Sequence, residues 1–271
     1  MPIRSGICAM RTAAFPGRAC ILAIIARGLC FGLLAVSLAS TQANAETANE
    51  SSTRLSSPLP SYAGAPTAPL AETQPLTAHR PANFLAEPAS NDAREVADWV
   101  VDSGDNRGMP FVIVDKKDAR VFVFDNEGQL RGAAPALLGL ALGDDSVAGI
   151  GDRKLSSIRP EERTTPAGRF VAALGHDLGK QDILWVDYAA AISLHRVITT
   201  SPKERRLQRL ATASRLDKRI SYGCINVPAK FYETVVIPAF TGTNGVVYIL
   251  PDTKSIREVF PAYDLWKHSL L

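Results

Sequence analysis

The central part of the chain carries short runs of β-branched and aromatic residues, a pattern typical of β-strands. Residues 111–114 and 120–124 form two such runs, joined by the polar segment 115–118, and the turn-forming segment 125–128 follows the second run. This arrangement predicts a β-hairpin. The same criteria predict further strands at residues 169–174, 183–186, 191–195, 220–224 and 246–250.

A helical pattern precedes these strands. Val96 and Val100 fall on one face of a helix that either Ser90 or Asn91 can cap. We therefore expect residues 91–108 to contain a short helix that packs on the domain that follows.

Many short strands separated by turns, with few helices, are typical of a mainly β domain. We predict a mixed β-sandwich or partly open barrel over residues 109–253, carrying one or two helices. One helix is expected at residues 229–237, with Pro228 at its first helical position. The tail, residues 254–271, is expected to form a helix that caps the domain.

The first 45 residues have the composition of an export signal. Four arginines and no acidic residue precede an apolar run at 28–39, and the segment ends in the small-x-small sequence Ala43-Asn44-Ala45. The apolar run is shorter than the ~20 residues that span a bilayer. We expect a signal peptide at 1–45 and export to the periplasm or cell envelope, without stable membrane insertion after cleavage. An uncleaved membrane anchor is the alternative.

Residues 46–90 are predicted to be a flexible linker. They contain seven of the 18 prolines, many alanine, serine and threonine residues, and almost no apolar periodicity. Such a segment cannot bury enough apolar surface to offset the entropy lost on ordering.

Composition and charge exclude several classes of protein. With 46% hydrophobic and 21% charged residues, the 271-residue chain is globular in composition rather than disordered or collagen-like. The formal net charge of +3 is due to the arginines of the predicted signal, and the rest of the chain is nearly neutral. This balance gives no support for a nucleic-acid-binding protein.

Cys224 is the only cysteine that follows the predicted signal peptide. In an oxidising compartment a single thiol cannot form an internal disulfide. It lies between a predicted strand and a predicted helix start, beside a glycine turn, which directs backbone N–H groups toward the side chain and favours the thiolate. Cys224 is thus a candidate nucleophile. A buried inert cysteine and an intermolecular disulfide are the alternatives.

A cysteine nucleophile needs a neighbouring base, since a thiol ordinarily titrates near pH 8.5. His195 ends the apolar run 191–194, whereas His176 lies in a polar loop and His268 in the tail. We hypothesise that His195 is the base for Cys224; a core or surface histidine bonded to the backbone is the alternative. No metal site is predicted, because one cysteine and dispersed histidines lack the spacing of zinc ligands.

Four motifs resemble, in the same order, those of the L,D-transpeptidase catalytic domain. The sequence SYGCIN at 221–226 resembles the nucleophile signature of that family, which reads Ser/Thr-His-Gly-Cys, an apolar residue, then Asn or Arg. The strand that ends in His195 is similar to the strand of the family's catalytic histidine. The sequence TPAGRF at 165–170 is similar to the family's Thr-Pro-x-Gly-x-Phe motif. The sequence GTNGVVYI at 242–249 is similar to the family's closing strand, Gly-Thr-x-Val.

The resemblance implies a cysteine acyltransferase that acts on peptidoglycan stem peptides and needs no cofactor. Cys224, activated by His195, would attack the carbonyl of the third stem residue, and an amine on a second stem would resolve the thioester. Carbapenem-like agents would acylate the same thiol. The residues implied to form or orient the oxyanion hole are Ser221, Tyr222, Gly223 and Asn226.

Two other functions stay open at this point. The thioester could be resolved by water, which would make the protein an L,D-carboxypeptidase or an amidase. The domain could also be a catalytically silent wall-binding module, because Tyr222 stands where the family usually has His and Arg196 where it usually has Gly.

A basic insertion separates the two candidate catalytic residues. His195 and Cys224 have 28 residues between them, more than is common in the family, and residues 196–219 carry eight basic and two acidic side chains. Residues 201–204 have the sequence of a capping box with proline at the first helical position, so the insertion is predicted to be helical. An ordinary solvated helix face is one interpretation. The other is a basic lid that attracts a carboxylate-rich substrate, with these candidate ligands: Arg196, Arg205, Arg206 and Arg209.

Overall fold

The computed structural model describes residues 79–270. The predicted signal peptide, 1–45, and the first part of the predicted linker, 46–78, lie outside the described residues. Over 79–270, no helix combines the length and the apolar character needed to cross a bilayer.

Eight strands form one mixed sheet in the order β3-β2-β1-β10-β5-β6-β7-β9, and two short strands, β4 and β8, pair separately. The strands are β1 Phe111–Asp115, β2 Arg120–Phe124, β3 Leu130–Pro135, β4 Leu138–Gly139, β5 Gly168–His176, β6 Asp182–Asp187, β7 Ile192–Arg196, β8 Arg219–Ser221, β9 Ile225–Val227 and β10 Gly245–Ile249. Most neighbours are antiparallel, but β1 pairs with β10, and β7 with β9, in parallel.

Six α-helices accompany the strands in the described part of the chain: α1 Asn91–Ser103, α2 Arg206–Ala211, α3 Ala229–Phe231, α4 Ile237–Phe240, α5 Ile256–Val259 and α6 Pro261–Ser269. A π-helical segment, Tyr232–Val236, joins α3 to α4. Short 3-10 turns occupy Ile150–Asp152, Leu155–Ser157, Pro160–Glu162, Pro202–Glu204 and Leu216–Lys218.

The two edges of the large sheet approach each other. Leu137, just after edge strand β3, exchanges two backbone hydrogen bonds of 2.8 and 2.9 Å with Asn226 in edge strand β9. This bridge makes the sheet a partly closed barrel. The prediction of a mainly β domain with a partly open barrel and few helices is therefore confirmed.

Successive side chains of a strand point to opposite faces of the sheet, and both faces are buried by a hydrophobic core. On one face, Val112 and Val121 belong to a core that extends to the helical segment after β9. On the other face, Phe111 and Phe122 pack under α1 and the C-terminal helices. Trp99 of α1 is fully buried there.

Helix α1 agrees with the predicted helix and cap. Ser90 is the N-cap, and its hydroxyl accepts a 3.1 Å hydrogen bond from the N–H of Ala93. Val96 and Val100, the predicted apolar face, are fully buried. The helix ends where Gly104 adopts a left-handed conformation with φ 67°.

The residues just before α1 pack on the sheet, although the sequence placed them in the linker. Phe84 is only 3% exposed. Its ring meets those of Phe122 and Phe124 edge-on, at centroid distances of 5.4 and 5.0 Å. Packed residues thus lie on the linker side of residue 90, the predicted boundary.

The predicted strand at 220–224 is wrong, because the chain turns within it. Strand β8 ends at Ser221 and β9 begins at Ile225. Gly223 has φ 135°, and a Cβ there would lie 2.8 Å from the carbonyl oxygen of Thr164. Only glycine fits this conformation and this close approach, so the strand breaks here and Cys224 lies just before β9.

Three predictions about helices differ in detail from the structure. Pro228 is the N-cap of α3 rather than its first residue. The capping box predicted at 201–204 does not form: Ser201 makes no side-chain cap, and left-handed Arg205, with φ 49°, separates a 3-10 turn from α2. The tail forms two helices instead of one. The first of them, α5, begins with a capping box between Ser255 and Glu258.

A buried ionic cluster ties together the segments around the turn at Gly223. The fully buried ammonium of Lys116 donates to Asp144 Oδ1 at 2.8 Å and to the carbonyl of Thr165 at 2.9 Å. Asp252 lies 3.4 Å from the same nitrogen and forms a two-pronged ion pair with Arg219, at 2.7 and 3.1 Å. The Lys116 ammonium therefore holds Thr165 directly and holds Arg219, the first residue of β8, through Asp252.

Candidate functional site

The parallel register of β7 and β9 brings the two candidate catalytic residues together. His195 pairs with Asn226 across these strands. Residues two positions apart share a face of a strand, so Ser193 lies on the same face of β7 as His195. Cys224 immediately precedes β9, two residues before Asn226. These four side chains form one cluster at the edge of the sheet.

The imidazole of His195 is oriented by a backbone carbonyl. Its Nδ1 lies 2.7 Å from the carbonyl oxygen of Arg196. A carbonyl can only accept, so Nδ1 carries the proton in the neutral ring, and Nε2 keeps its lone pair. Nε2 lies 3.4 Å from the amide nitrogen of Asn226. The imidazole also interacts with the thiol of Cys224.

The thiol of Cys224 is half-buried and has two further polar neighbours. The hydroxyl of Ser193, a buried side chain, donates to Sγ at 3.6 Å. Sγ also lies 3.6 Å from the carbonyl oxygen of Ala191, which can accept a hydrogen bond from the thiol. Ser193 can donate to either the thiol or the thiolate, so it accommodates both protonation states.

The pKa values of Cys224 and His195 are shifted toward each other, which favours proton transfer between them. Burial raises the pKa of the Cys224 thiol, but hydrogen bonds from His195 and Ser193 more than offset it, so the pKa lies below its usual value. Burial lowers the pKa of His195, but its contact with Cys224 outweighs that effect, so the pKa lies above its usual value. Such a pair can exchange a proton and yield a nucleophilic thiolate.

The backbone at Cys224 is fixed by its neighbours in the sequence motif. The hydroxyl of Ser221 donates to the carbonyl of Cys224 at 2.7 Å and accepts from the N–H of Gly223 at 3.1 Å. Asn226 Nδ2 donates to the same carbonyl at 3.3 Å. Ser221 and Asn226 therefore orient the backbone of Cys224, and the Gly223 N–H, a predicted oxyanion donor, is engaged by Ser221.

Thr165 is a site residue that sequence reasoning missed, although it lies in one of the quoted motifs. Its fully buried hydroxyl donates to the carbonyl of Gly223 at 2.7 Å and accepts from the N–H of Gly139 at 2.8 Å. The carbonyl of Thr165 is the one held by Lys116. Thr165 thus links the ionic cluster directly to the turn that carries Cys224.

We expect Thr165→Val to lower the free energy of unfolding by about 2–3 kcal/mol, since it leaves a buried N–H and a buried carbonyl without their hydroxyl partner. Thr164→Val is the matched control: Thr164 is also buried, and its hydroxyl makes no hydrogen bond to the described residues. Urea denaturation of both variants measures the difference. Equal losses would contradict the role given to the Thr165 hydroxyl.

Among the predicted lid arginines, Arg206 reaches the cluster. Its Nη1 donates to Asn226 Oδ1 at 2.7 Å, and its Nε donates to Glu204 at 2.6 Å. Arg205 is exposed. Arg209 donates to the carbonyls of Glu204 and Asp217 and so braces the insertion internally. The substrate contact of Arg209 stays a prediction.

Arg196 lies on the opposite face of β7 from His195, because the two residues are adjacent in the strand. Its guanidinium pairs with Glu233 at 2.9 Å, and its carbon lies 4.7 Å from the ring centroid of Tyr232. The expectation that Arg196 binds substrate therefore does not fit. Its side chain anchors the strand end whose carbonyl orients His195.

Tyr222 stacks against an arginine from the loop before β5. The guanidinium carbon of Arg163 lies 4.0 Å from the Tyr222 ring centroid. Arg163 Nε and Nη2 both donate to the carbonyl of Ile158, at 3.3 and 3.1 Å. Tyr222 therefore carries a fixed cation beside the site.

No group of three or more His, Cys, Asp or Glu side chains within 79–270 could hold a metal ion. The histidines outside the cluster lie apart from it. His176 pairs with Asp182 at 3.1 Å and His268 with Asp264 at 3.7 Å.

Comparison with known proteins found similarity at the level of solved structures. No protein-family model matches the chain, and no curated protein matches it. A structure of an L,D-transpeptidase from Xylanimonas cellulosilytica aligns with 12% identity and a TM-score of 0.33, covering 52% of this chain and 60% of that one. An L,D-transpeptidase from Mycobacterium tuberculosis aligns with 14% identity and a TM-score of 0.32, covering 52% and 57%.

The helical cell shape determining protein Pgp2 from Campylobacter jejuni aligns with 17% identity and a TM-score of 0.37. The alignment covers 60% of this chain and 56% of that one. The chain thus spans less than two thirds of the length of each of these three structures.

Proposed function

We propose that the protein is an exported L,D-transpeptidase that transfers an acyl group from one peptidoglycan stem peptide to an amine through a thioester on Cys224. The observation that carries the proposal is the geometry at the base: Nδ1 of His195 is tied to a carbonyl, so Nε2 holds the lone pair that takes the thiol proton. The substrate class rests on the sequence motifs around Cys224, Thr165 and the closing strand. Export rests on the N-terminal signal pattern.

In the first half-reaction the Cys224 proton moves to Nε2 of His195, and the sulfur attacks the carbonyl of the third stem residue. Backbone N–H groups of Tyr222 and Cys224 stabilise the oxyanion. His195 then returns its proton to the nitrogen of the terminal D-alanine, the peptide bond breaks, and the thioester forms. Ser193 donates a hydrogen bond to the sulfur while it carries negative charge.

In the second half-reaction an amine of another stem attacks the thioester carbonyl. His195 accepts the amine proton and passes it to the departing thiolate, which restores the starting state. The displaced peptide bond supplies the energy of the acyl group, so the chemistry requires no cofactor.

Incubation of the purified protein with a stem tetrapeptide and an amine acceptor tests the proposal. We expect release of D-alanine in step with a cross-linked product, and neither product from Cys224→Ala. Tripeptide without cross-links would favour the hydrolase. Consumption of no donor, with binding of wall fragments by both proteins, would favour a silent binding module and would reject the proposal.

A further inference from the structure

An aromatic pair lies on the sheet face that carries Ser193 and His195. Trp185 of β6 stands directly opposite Ser193 of β7, and opposite Ala173 of β5 on its other side. Residues directly opposite each other on neighbouring strands share a face, so Trp185 lies on the face of Ser193 and His195. Tyr188, just after β6, completes the pair: its ring stacks on that of Trp185 at a centroid distance of 4.8 Å and an interplanar angle of 23°.

The two rings form a flat surface that is open to solvent. The indole of Trp185 rests on the backbone of Gly175, where a Cβ would lie only 2.8 Å from Cδ1, so glycine leaves room for the ring. Tyr188 is 68% exposed, and Val171, on the same face of β5, is 56% exposed. Within residues 79–270, neither the indole N–H of Trp185 nor the hydroxyl of Tyr188 has a hydrogen-bond partner. The surface therefore offers apolar ring faces with unpaired polar groups at their edges.

The turn that carries Tyr188 adjoins the candidate nucleophile. The N–H of Ala191 donates to the carbonyl of Tyr188 at 3.3 Å, and the carbonyl oxygen of Ala191 lies 3.6 Å from Sγ of Cys224. Tyr188 precedes the start of β7, whereas His195 lies near the end of that strand. In the proposed reaction His195 protonates the leaving residue, so the acyl part of the donor extends away from His195 and toward the aromatic pair.

The length of a stem peptide matches the distance to this surface. Neighbouring strands are about 4.8 Å apart, so β6 and β5 lie within about 10 Å of β7, the strand that contacts the sulfur. The proposed reaction attacks the carbonyl of the third stem residue, and the first stem residue is joined to a sugar of the glycan strand. Three extended residues span at most about 10 Å. That sugar can therefore reach the rings while the third carbonyl lies at the sulfur.

We propose that Trp185 and Tyr188 bind a sugar ring of the glycan strand that carries the donor stem peptide. A pyranose has an apolar C–H face, which packs on an aromatic ring, and an edge of hydroxyl and acetamido oxygens, which accept hydrogen bonds from the indole N–H and the phenol. This inference rests on the proposed function and specifies its donor, a stem peptide that is still attached to its sugar. It adds two residues that the sequence did not single out.

Two donors test the inference: a free tetrapeptide, and the same tetrapeptide attached to a disaccharide of the glycan strand. In the wild type, the attached donor should acylate Cys224 with a kcat/KM about tenfold higher, the gain expected from stacking on one aromatic surface. In Tyr188→Ala the ratio of the two values should fall to about one. Tyr188→Phe keeps the ring and should keep the ratio. Leu265→Ala, which removes a similarly exposed apolar side chain from α6, should keep it as well.

A ratio near one in the wild type would overturn the inference and leave the proposed function intact. An equal loss for both donors in Tyr188→Ala would also overturn it, because the ring would then contact the peptide. Failure of both donors to acylate would reject the proposed function.

Binding of a tetramer of N-acetylglucosamine, followed by tryptophan fluorescence, requires no reaction and so separates the two failures. The wild type should bind the tetramer, and Tyr188→Ala should bind it about tenfold more weakly. Absence of binding to the wild type, or equal binding by both proteins, would overturn the inference.

Discussion

His195→Ala is expected to slow acylation of Cys224 by about 10³-fold, within the range that a positioned general base contributes. The substitution removes Nε2, which takes the thiol proton. It also removes the hydrogen bond that, more than any other contact, offsets the effect of burial on the pKa of Cys224. Without it, burial raises the pKa of the thiol, so a smaller fraction is thiolate at neutral pH.

The pH dependence of alkylation by iodoacetamide measures this effect separately from substrate binding. In the wild type, the rate should reach half its maximum below the ordinary thiol pKa of about 8.5. In His195→Ala the midpoint should move to higher pH. His176→Ala, an exposed histidine paired with Asp182, is the control and should retain the wild-type profile. An unchanged midpoint in His195→Ala would contradict the role of His195.

Lys116→Met is expected to lower the free energy of unfolding by about 3–5 kcal/mol, the loss typical of breaking a buried ion pair from one side. It leaves the carboxylates of Asp144 and Asp252 buried without the ammonium they share. Lys117→Met removes a neighbouring but exposed ammonium, paired with Asp92 at 2.9 Å. This control should cost less than about 1 kcal/mol.

Acid denaturation offers a second view of the same cluster. Burial alone would raise the pKa of Asp144, but hydrogen bonds from Lys116, Thr253 and nearby backbone N–H groups hold it well below its usual range. A carboxyl group with a depressed native pKa stabilises the fold above its unfolded pKa of about 3.9, and that stability is lost as the pH falls below it. Stability should therefore fall more steeply below pH 4 in the wild type than in Lys116→Met. Equal slopes of stability against pH in the two proteins would contradict the stabilising role of the Lys116–Asp144 pair.

Strands with strong patterns were predictable, and weakly patterned ones were not. Strand β2 was predicted with its observed bounds because it is a run of β-branched and aromatic residues. Its partner β3 has the sequence LRGAAP, which lacks such residues, and it is a strand because β2 offers it an edge to pair with. Tertiary pairing, rather than local preference, determines β3.

The insertion illustrates a different limit of sequence reasoning. Its capping-box sequence predicted a helical insertion, but left-handed Arg205 separates a 3-10 turn from α2, and Arg209 reaches back to the carbonyl of Glu204. Such an internal contact depends on how the whole segment folds. Local periodicity therefore predicted helical content without the break.

The candidate site was predictable in its residues and not in its geometry. The motifs led to Cys224 and His195, but their contact depends on the parallel register of β7 and β9. Thr165 lies 58 residues from Gly223 along the chain, and its bond to the turn depends on the fold. Arg163 carries no local signal at all, because its significance comes from the ring it stacks on.

The most direct test is the intact mass of the protein. The purified protein is mixed with the tetrapeptide donor and quenched in acid before the measurement. The account predicts a mass increase equal to the donor less D-alanine, located on the peptide that contains Cys224 and absent from Cys224→Ala. Transfer of the thiol proton to His195 is proposed only as a step toward that adduct. Turnover of donor by the Cys224→Ala protein, or an adduct on another side chain, would contradict it.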